Sequence, residues 1–193
     1  MKESDRAWLR TMSRQEVFRE PPLETLSGRN GWGIVIESIS TFDWNRTGVA
    51  ILLDESRSQV VRTEVVSVPL RSGDRAGEPY DPSLHLANAR RGVSWQGVVE
   101  CDCRFCREQL NYLTRYGLWE LNDFRPADEI LDGDYLIVRA LETSTGQEVD
   151  SCLFCFDQSI NPYHRRLARR MRHLLGLSRD AFKAQPWYRR IWN

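Results

Sequence analysis

The sequence predicts an α+β fold: a mostly antiparallel sheet of about six strands built from hairpins, with about three helices packed on it. Three observations lead there. Strand-like runs rich in Val, Ile and Thr fall mostly in pairs around short polar turns, helix-like spacing is confined to a few stretches, and no internal repeat, heptad run or low-complexity tract is present. A chain of 193 residues with 41 % apolar residues, 28 % charged residues and seven tryptophans has the length and composition to bury one sizeable core. The expected organisation is an α+β domain over 1–160, with a short helix at 4–18 and a sheet across 32–156, followed by a basic amphipathic helix and an aromatic, arginine-rich tail at 161–193.

In chain order, "SDRAWLRTMSRQEVF" (4–18) spaces Trp8, Leu9, Met12 and Val17 roughly along one helical face, and Pro21 and Pro22 stop it. "WGIVIESIS" reads as a strand behind a glycine-rich turn. "TGVAILLDESRSQVVRTEVVSV" holds two β-branched runs around the polar turn "DESRS", which makes a hairpin. Residues 71–83 have no period and form a long loop. "VSWQGVVEC" is another strand, leading straight into a cysteine cluster, and "CREQLNYLTRYGLWEL" follows with Leu110, Leu113 and Leu118 at helical spacing. "DYLIVRALE" and "QEVDSCLFCF" flank the turn "TSTG" as a second hairpin. Finally "NPYHRRLARRMRHLLG" has Asn161 as N-cap, Pro162 in the first helical position and Gly176 as its stop.

Charge is unevenly spread. The chain is formally neutral, yet residues 161–193 carry eight arginines and one lysine against a single aspartate. Such asymmetry points to contact with nucleic acid or an acidic surface, or to a basic end packing on its own acidic body. Only Lys2 and Lys183 are lysines, against twenty-five arginines, so lysine-nucleophile chemistry has little to use, whereas planar recognition of phosphate or carboxylate is well supplied. No stretch approaches the length of a membrane span and the start has no signal-type apolar run, so the expected location is cytoplasmic.

In a reducing compartment, paired cysteines are more often metal ligands or redox thiols than structural disulfides. Cys103/Cys106 and Cys152/Cys155 both have Cys-x-x-Cys spacing, and two such turns can place four sulfurs around one zinc. Cys101 is then a fifth thiol: a spare, an alternative to Cys103, or part of an iron–sulfur arrangement. For one ion to take both pairs, the strand at 94–100 has to lie beside that at 147–156. The alternatives are buried unligated thiols, which the apolar run "CLFCF" favours, and a redox pair at the helix start.

The order hairpin, long segment, strand, "CDCRFCREQL", helix, hairpin resembles zinc-dependent cytidine deaminases over roughly 48–156. That resemblance implies that Cys103 and Cys106 bind zinc, with an upstream His or Cys completing the site and a Glu two residues beyond it moving protons. The sequence departs there: "LHLAN" offers His85 but has Ala87 in the place of the glutamate. No P-loop, G-x-S-x-G or G-x-G-x-x-G occurs, and the other histidines, His164 and His173, belong to the basic helix. The acidic stretch with Asp123, Asp128, Glu129, Asp132 and Asp134 lacks calcium-loop spacing and reads as a solvated loop.

The C-terminal segment sets Arg165, Arg166, Arg169, Arg170 and Arg172 on the polar side of an amphipathic helix, then interleaves Trp187, Tyr188 and Trp192 with Arg189 and Arg190. Arginines meet phosphates and aromatic rings stack on bases, and both residue types are also enriched where proteins meet. The sequence therefore points to binding rather than catalysis: a protein with a cysteine-cluster metal site that docks on a protein partner, another subunit or a nucleic acid through its basic end.

Overall fold

Residues 34–36 are three consecutive β-branched residues, so a strand built from them is apolar on both sides and belongs in the middle of a sheet, covered on both faces. The computed structural model, which describes residues 22–26, 28–40, 46–66, 93–124 and 134–183, shows this placement. Six strands, β1 (Gly31–Ser40), β2 (Arg46–Asp54), β3 (Ser58–Val66), β4 (Val93–Glu100), β5 (Asp134–Glu142) and β6 (Gln147–Phe154), form one antiparallel sheet in the order β4-β3-β2-β1-β5-β6. Two α-helices are described, α1 (Cys103–Arg115) and α2 (Pro162–Lys183), with short 3-10 turns at Pro22–Leu26 and Phe156–Gln158. The α+β class is as expected, with two described helices where three were anticipated. The helix expected at 4–18, the loop at 71–83 and everything after 183 lie outside the described residues.

The register divides the strands between two faces. Ile34 lies opposite Ile51 and Ala140, Ile36 opposite Val49 and Val138, and Leu136 opposite Leu153. Both helices cover this face: Leu110 and Leu113 of α1 and Leu167, Met171 and Leu174 of α2 join those strand residues in one buried cluster. Each such side chain contributes about 1.5–3 kcal/mol on burial, so α2, read from sequence as the start of a separate basic segment, is an integral part of the core. The other face holds Val35, Ala50, Leu52 and Val61 under Leu26 of the first 3-10 turn. Gly33 lets that turn approach, because a Cβ there would meet Leu23 at 2.8 Å and Leu26 at 2.9 Å. Further along this face, the fully buried Glu37 pairs with Arg139 at 2.6 Å.

Helix ends follow from short-range chemistry. Asp102 caps α1, accepting from the Arg104 amide at 2.8 Å. Gly117 closes it at φ 91°, with the Leu118 amide donating to Leu113 O and the Gly117 amide to Thr114 O. This is the glycine-terminated motif that satisfies the last carbonyls, and it ends α1 before Leu118, earlier than the spacing of apolar residues implied. Asn161 caps α2 as expected, accepting from the Tyr163 amide at 2.9 Å. Gly176, expected as the stop, lies inside α2 instead. A glycine ends a helix only by turning left-handed, and Gly176 does not have positive φ. Seven residues, about two turns, continue beyond it, and the Arg62 guanidinium donates to the Leu175 carbonyl just before it.

The connection from β2 to β3 is organised by Asp54. Its carboxylate accepts from the Ser56 amide and hydroxyl at 2.8 and 2.7 Å and from the Arg57 amide and Nε, both at 2.9 Å. Burial pushes this carboxyl up, but those hydrogen bonds together outweigh it and hold the group well below its ordinary value of 3.8. A depressed carboxylate contributes stability that is present above its unfolded value and lost as pH falls through the folded one. Asp54→Asn is therefore expected to cost about 1–3 kcal/mol at pH 7 and to flatten the loss of stability below pH 4, as read from urea unfolding midpoints at the two pH values.

Candidate binding surface on the helical layer

Because α1 and α2 bury their apolar sides against the same face of the sheet, their polar sides lie next to each other facing outward. α1 carries three arginines against one glutamate, and the part of α2 whose side chains are described, residues 162–176, carries five arginines and no carboxylate. The glutamate of α1, Glu108, is engaged by Arg104 one turn away at 3.0 Å. The helical layer is thus a cationic surface. On the other side of the sheet, Glu24, Glu148 and Asp150 line an open cavity of about 570 Å³ together with Arg139.

Where the helices meet, two pairs spaced by one turn interlock. Tyr112 of α1 and Tyr116, which caps its C-terminal end, with ring centroids 4.6 Å apart, face Arg170 and Arg166 of α2. The Arg170 guanidinium lies 5.1 Å from the Tyr112 ring centre and that of Arg166 5.7 Å from the Tyr116 ring centre. Such contacts are worth about 0.5–1 kcal/mol at exposed sites and more when desolvated. Arg170 also donates to Gln109 Oε1, a side chain 4 % exposed. With Arg169 and His173 these residues line an open groove of about 480 Å³. No carboxylate is among the lining residues.

The five described arginines expected from sequence to meet a partner thus divide. Arg165, Arg166, Arg169 and Arg172 are exposed, whereas Arg170 is half-buried and fastens α2 to α1. Trp187, Tyr188, Arg189, Arg190 and Trp192 lie outside the described residues. Tyr112, Tyr116 and His173 join the surface without having been expected, and the buried Gln109 supports it from below by holding Arg170. The spacing of Tyr112 and Tyr116 was a usable signal, but only the packing of α1 beside α2 gives it a partner. Tyr163 adds a ring 6.2 Å from Tyr116 and is 57 % exposed.

His164 does not contribute charge in the same way. Its ring lies against Phe156 at 4.8 Å, Nδ1 is 3.0 Å from the Ser159 hydroxyl, and burial pushes its pKa below the ordinary 6.5. Asp123, from the acidic stretch, caps the edge of β6 by accepting from the Cys152 amide at 2.9 Å, and Asp134 opens β5. Asp128, Glu129 and Asp132 lie outside the described residues.

The sulfurs do not gather at one point. β4 and β6, which would have to be neighbours for the two Cys-x-x-Cys pairs to share an ion, are the opposite edges of the sheet. Five strand spacings of about 4.8 Å each separate β4, which Cys101 follows, from β6, which holds Cys152, along the sheet. Cys106 belongs to the cluster under the helices, while Cys152 sits on the other face with Ile39 and Ile137. Cys155 follows β6 in a left-handed conformation, its amide bonded to Asp134 O at 3.2 Å. The two Cys-x-x-Cys pairs expected to share a zinc, with or without Cys101, thus lie at opposite edges of the sheet, and no group of three or more His, Cys, Asp or Glu side chains suited to one ion occurs among the described residues. Cys101 and Cys106 are instead joined as a disulfide, and Cys103 is free and exposed. The strand-to-helix turn that carries the resemblance to cytidine deaminases is present, with Cys106 bonded to Cys101 rather than paired with Cys103, and His85 and Ala87 lie outside the described residues. No helix among the described residues is long and apolar enough to cross a membrane.

Comparisons of the chain with protein-family models, with curated proteins and with solved structures find no match. The surface has to be read from its own chemistry.

Two measurements check that reading. Arg170→Gln is expected to lower stability by about 1–3 kcal/mol through its lost contacts to Gln109 and Tyr112, while Arg169→Gln changes it by less than about 0.5 kcal/mol, both from chemical denaturation. A histidine with a depressed folded pKa contributes stability that is complete above its unfolded value and lost as pH falls below it. His164→Gln is accordingly expected to reduce the fall in melting temperature between pH 7 and pH 5.

Proposed function

We propose that this protein binds single-stranded nucleic acid, without catalysis, on the surface made by α1 and α2. The observation that carries the reading is the groove of Arg166, Arg169, Arg170 and His173 between tyrosines, with no carboxylate lining it. Arginines left without carboxylate partners gain most from phosphates, whose binding releases condensed counterions. A guanidinium resting on a ring, as Arg166 rests on Tyr116, keeps its edge N–H groups for an acceptor.

Arg165 and Arg172 are seven residues apart, about 10.5 Å along a helix, which is about three steps of a stacked strand at 3.4 Å each. The half-exposed face of Tyr163 supplies a ring on which a base can stack. A protein partner is less well served. Protein interfaces are centred on buried apolar anchors, and the only large exposed hydrophobic residues among those described are Val98, Ile160 and Tyr163.

A cationic surface of this size should bind weakly, with Kd of about 10⁻⁴ to 10⁻⁶ M near physiological salt. Four exposed arginines engaging phosphates give a slope of log K against log salt of about −3 for a single strand. Arg166→Gln with Arg169→Gln is expected to weaken binding several-fold or more and to make the slope shallower by about 1.4. Fluorescence anisotropy with a labelled oligonucleotide of mixed sequence, titrated at several salt concentrations, reads both quantities. Binding that is insensitive to salt, or unchanged in the double variant, refutes the proposal.

A further inference from the structure

Three cysteines fall within six residues where β4 hands over to α1. Cys101 follows the strand, and its amide donates to Ser58 O at 2.9 Å. Cys103 opens α1, and Cys106 lies one turn further on, fully buried beside Leu110 and Leu113. The disulfide joins Cys101 to Cys106 across the exposed, free Cys103. Its two sulfurs differ in access. That of Cys101 is on a half-buried residue with the Ser58 hydroxyl 3.3 Å away, whereas Cys106 is sealed in the core.

A bridge across a sequence separation of five removes little freedom from the unfolded chain, so stapling the whole fold is a poor account of it. What it does fix is the first turn of α1 against the rim of the sheet.

We propose that Cys101 and Cys106 form a reversible thiol–disulfide exchange site for small thiols and disulfides of the glutathione type. In the opening direction, a thiolate attacks Cys101 Sγ, the sulfur nearer solvent. A bond forms between the two, the Cys101–Cys106 bond breaks, and its electron pair leaves on Cys106 Sγ, which takes up a proton. A second small thiolate then attacks the small-molecule sulfur of the mixed disulfide, and Cys101 departs as a thiolate and is protonated. Two small thiols have become one small disulfide, and the protein has gained two electrons and two protons. Closing is the reverse. Cys106 leaves from the first turn of α1, where the helix N-terminus offsets part of the cost of a thiolate in the apolar core, and the Ser58 hydroxyl can donate to Cys101 Sγ.

Opening the bond loosens the start of the helix that carries Gln109, Tyr112 and Tyr116. A coupling to nucleic-acid affinity follows, and that coupling alone rests on the function proposed above.

The test equilibrates the full chain in buffers of varied reduced-to-oxidised glutathione ratio, quenches with acid, alkylates, and counts labels over residues 101–106 by mass spectrometry. One label, on Cys103, is expected at the oxidising end and three at the reducing end, with Cys101 and Cys106 changing together. Cys101→Ser, which leaves the core side chain Cys106 in place, should abolish the step, and Cys103→Ser should retain it. The site is refuted if the label count is the same at every ratio. It is equally refuted if Cys103→Ser abolishes the step while Cys101→Ser keeps it, since that would assign exchange to the Cys103/Cys106 pair. Oligonucleotide affinity measured at both ends of the series separates the two ideas: a two-label step with no binding in either state leaves the exchange site standing and removes the nucleic-acid reading.

Discussion

The arrangement depends on one constraint: two amphipathic helices share a single face of one sheet. Leu110 and Leu113 on one helix, and Leu167, Met171 and Leu174 on the other, have to reach the same layer of Ile34, Ile36, Val49 and Val138. Once they do, the outward sides of both helices are side by side, and the cations on them are pooled whether or not the chain as a whole is neutral. Like charges brought together repel, and the structure offsets this locally: Glu108 takes Arg104, and the rings of Tyr112 and Tyr116 take Arg170 and Arg166. Rings moderate the repulsion without cancelling the charge, as carboxylates would. The surface remains cationic, which is the property a phosphate backbone selects.

The same sheet that pools the cations keeps the cysteines apart. An antiparallel order with β1 and β2 near the centre leaves β4 and β6 on the rims, so the two Cys-x-x-Cys turns are carried to opposite edges and, for Cys106 and Cys152, to opposite faces. Regular spacing along the chain says how close two sulfurs of one turn can come. It says nothing about which strands are neighbours, and that is a matter of topology. The local partner of Cys106 turns out to be Cys101, because the strand ends where the helix begins and the intervening Asp102 is used as the cap.

This marks the boundary of what the sequence made legible. Each strand could be read from its β-branched run, and the Asn161 N-cap from a short polar side chain ahead of a helix, because those signals are local; the Asp102 cap was hidden among the cysteines. Gly176 misled because a glycine is permitted to leave the helical conformation but not obliged to. Gly117, inside a stretch read as helical throughout, does leave it, and the buried Leu118 beyond it had suggested continuation. The arginines of the candidate surface were visible as a charged row. Their division into one that fastens α2 and several that face solvent was not, since it depends on Gln109 and Tyr112, more than fifty residues earlier in the chain.

That division bears on how such a surface can act. Arg170 is committed to its own protein: taking it for a phosphate would break its bond to Gln109 and its contact with Tyr112, leaving a side chain that is 4 % exposed short of a partner, an unfavourable exchange. Arg166 is different, because a guanidinium lying on a ring can accept a phosphate at its edge with the ring contact intact. The groove therefore combines a cation held against α1, Arg170, with exposed ones at its rim, Arg166 and Arg169, which are the ones the proposed reading assigns to a ligand. Rigidity behind and adaptability in front suit a ligand recognised by its repeating charge rather than by one shape. On the reading proposed above, a surface built this way would gain affinity mainly by adding phosphate contacts, one arginine at a time, and would discriminate little between sequences.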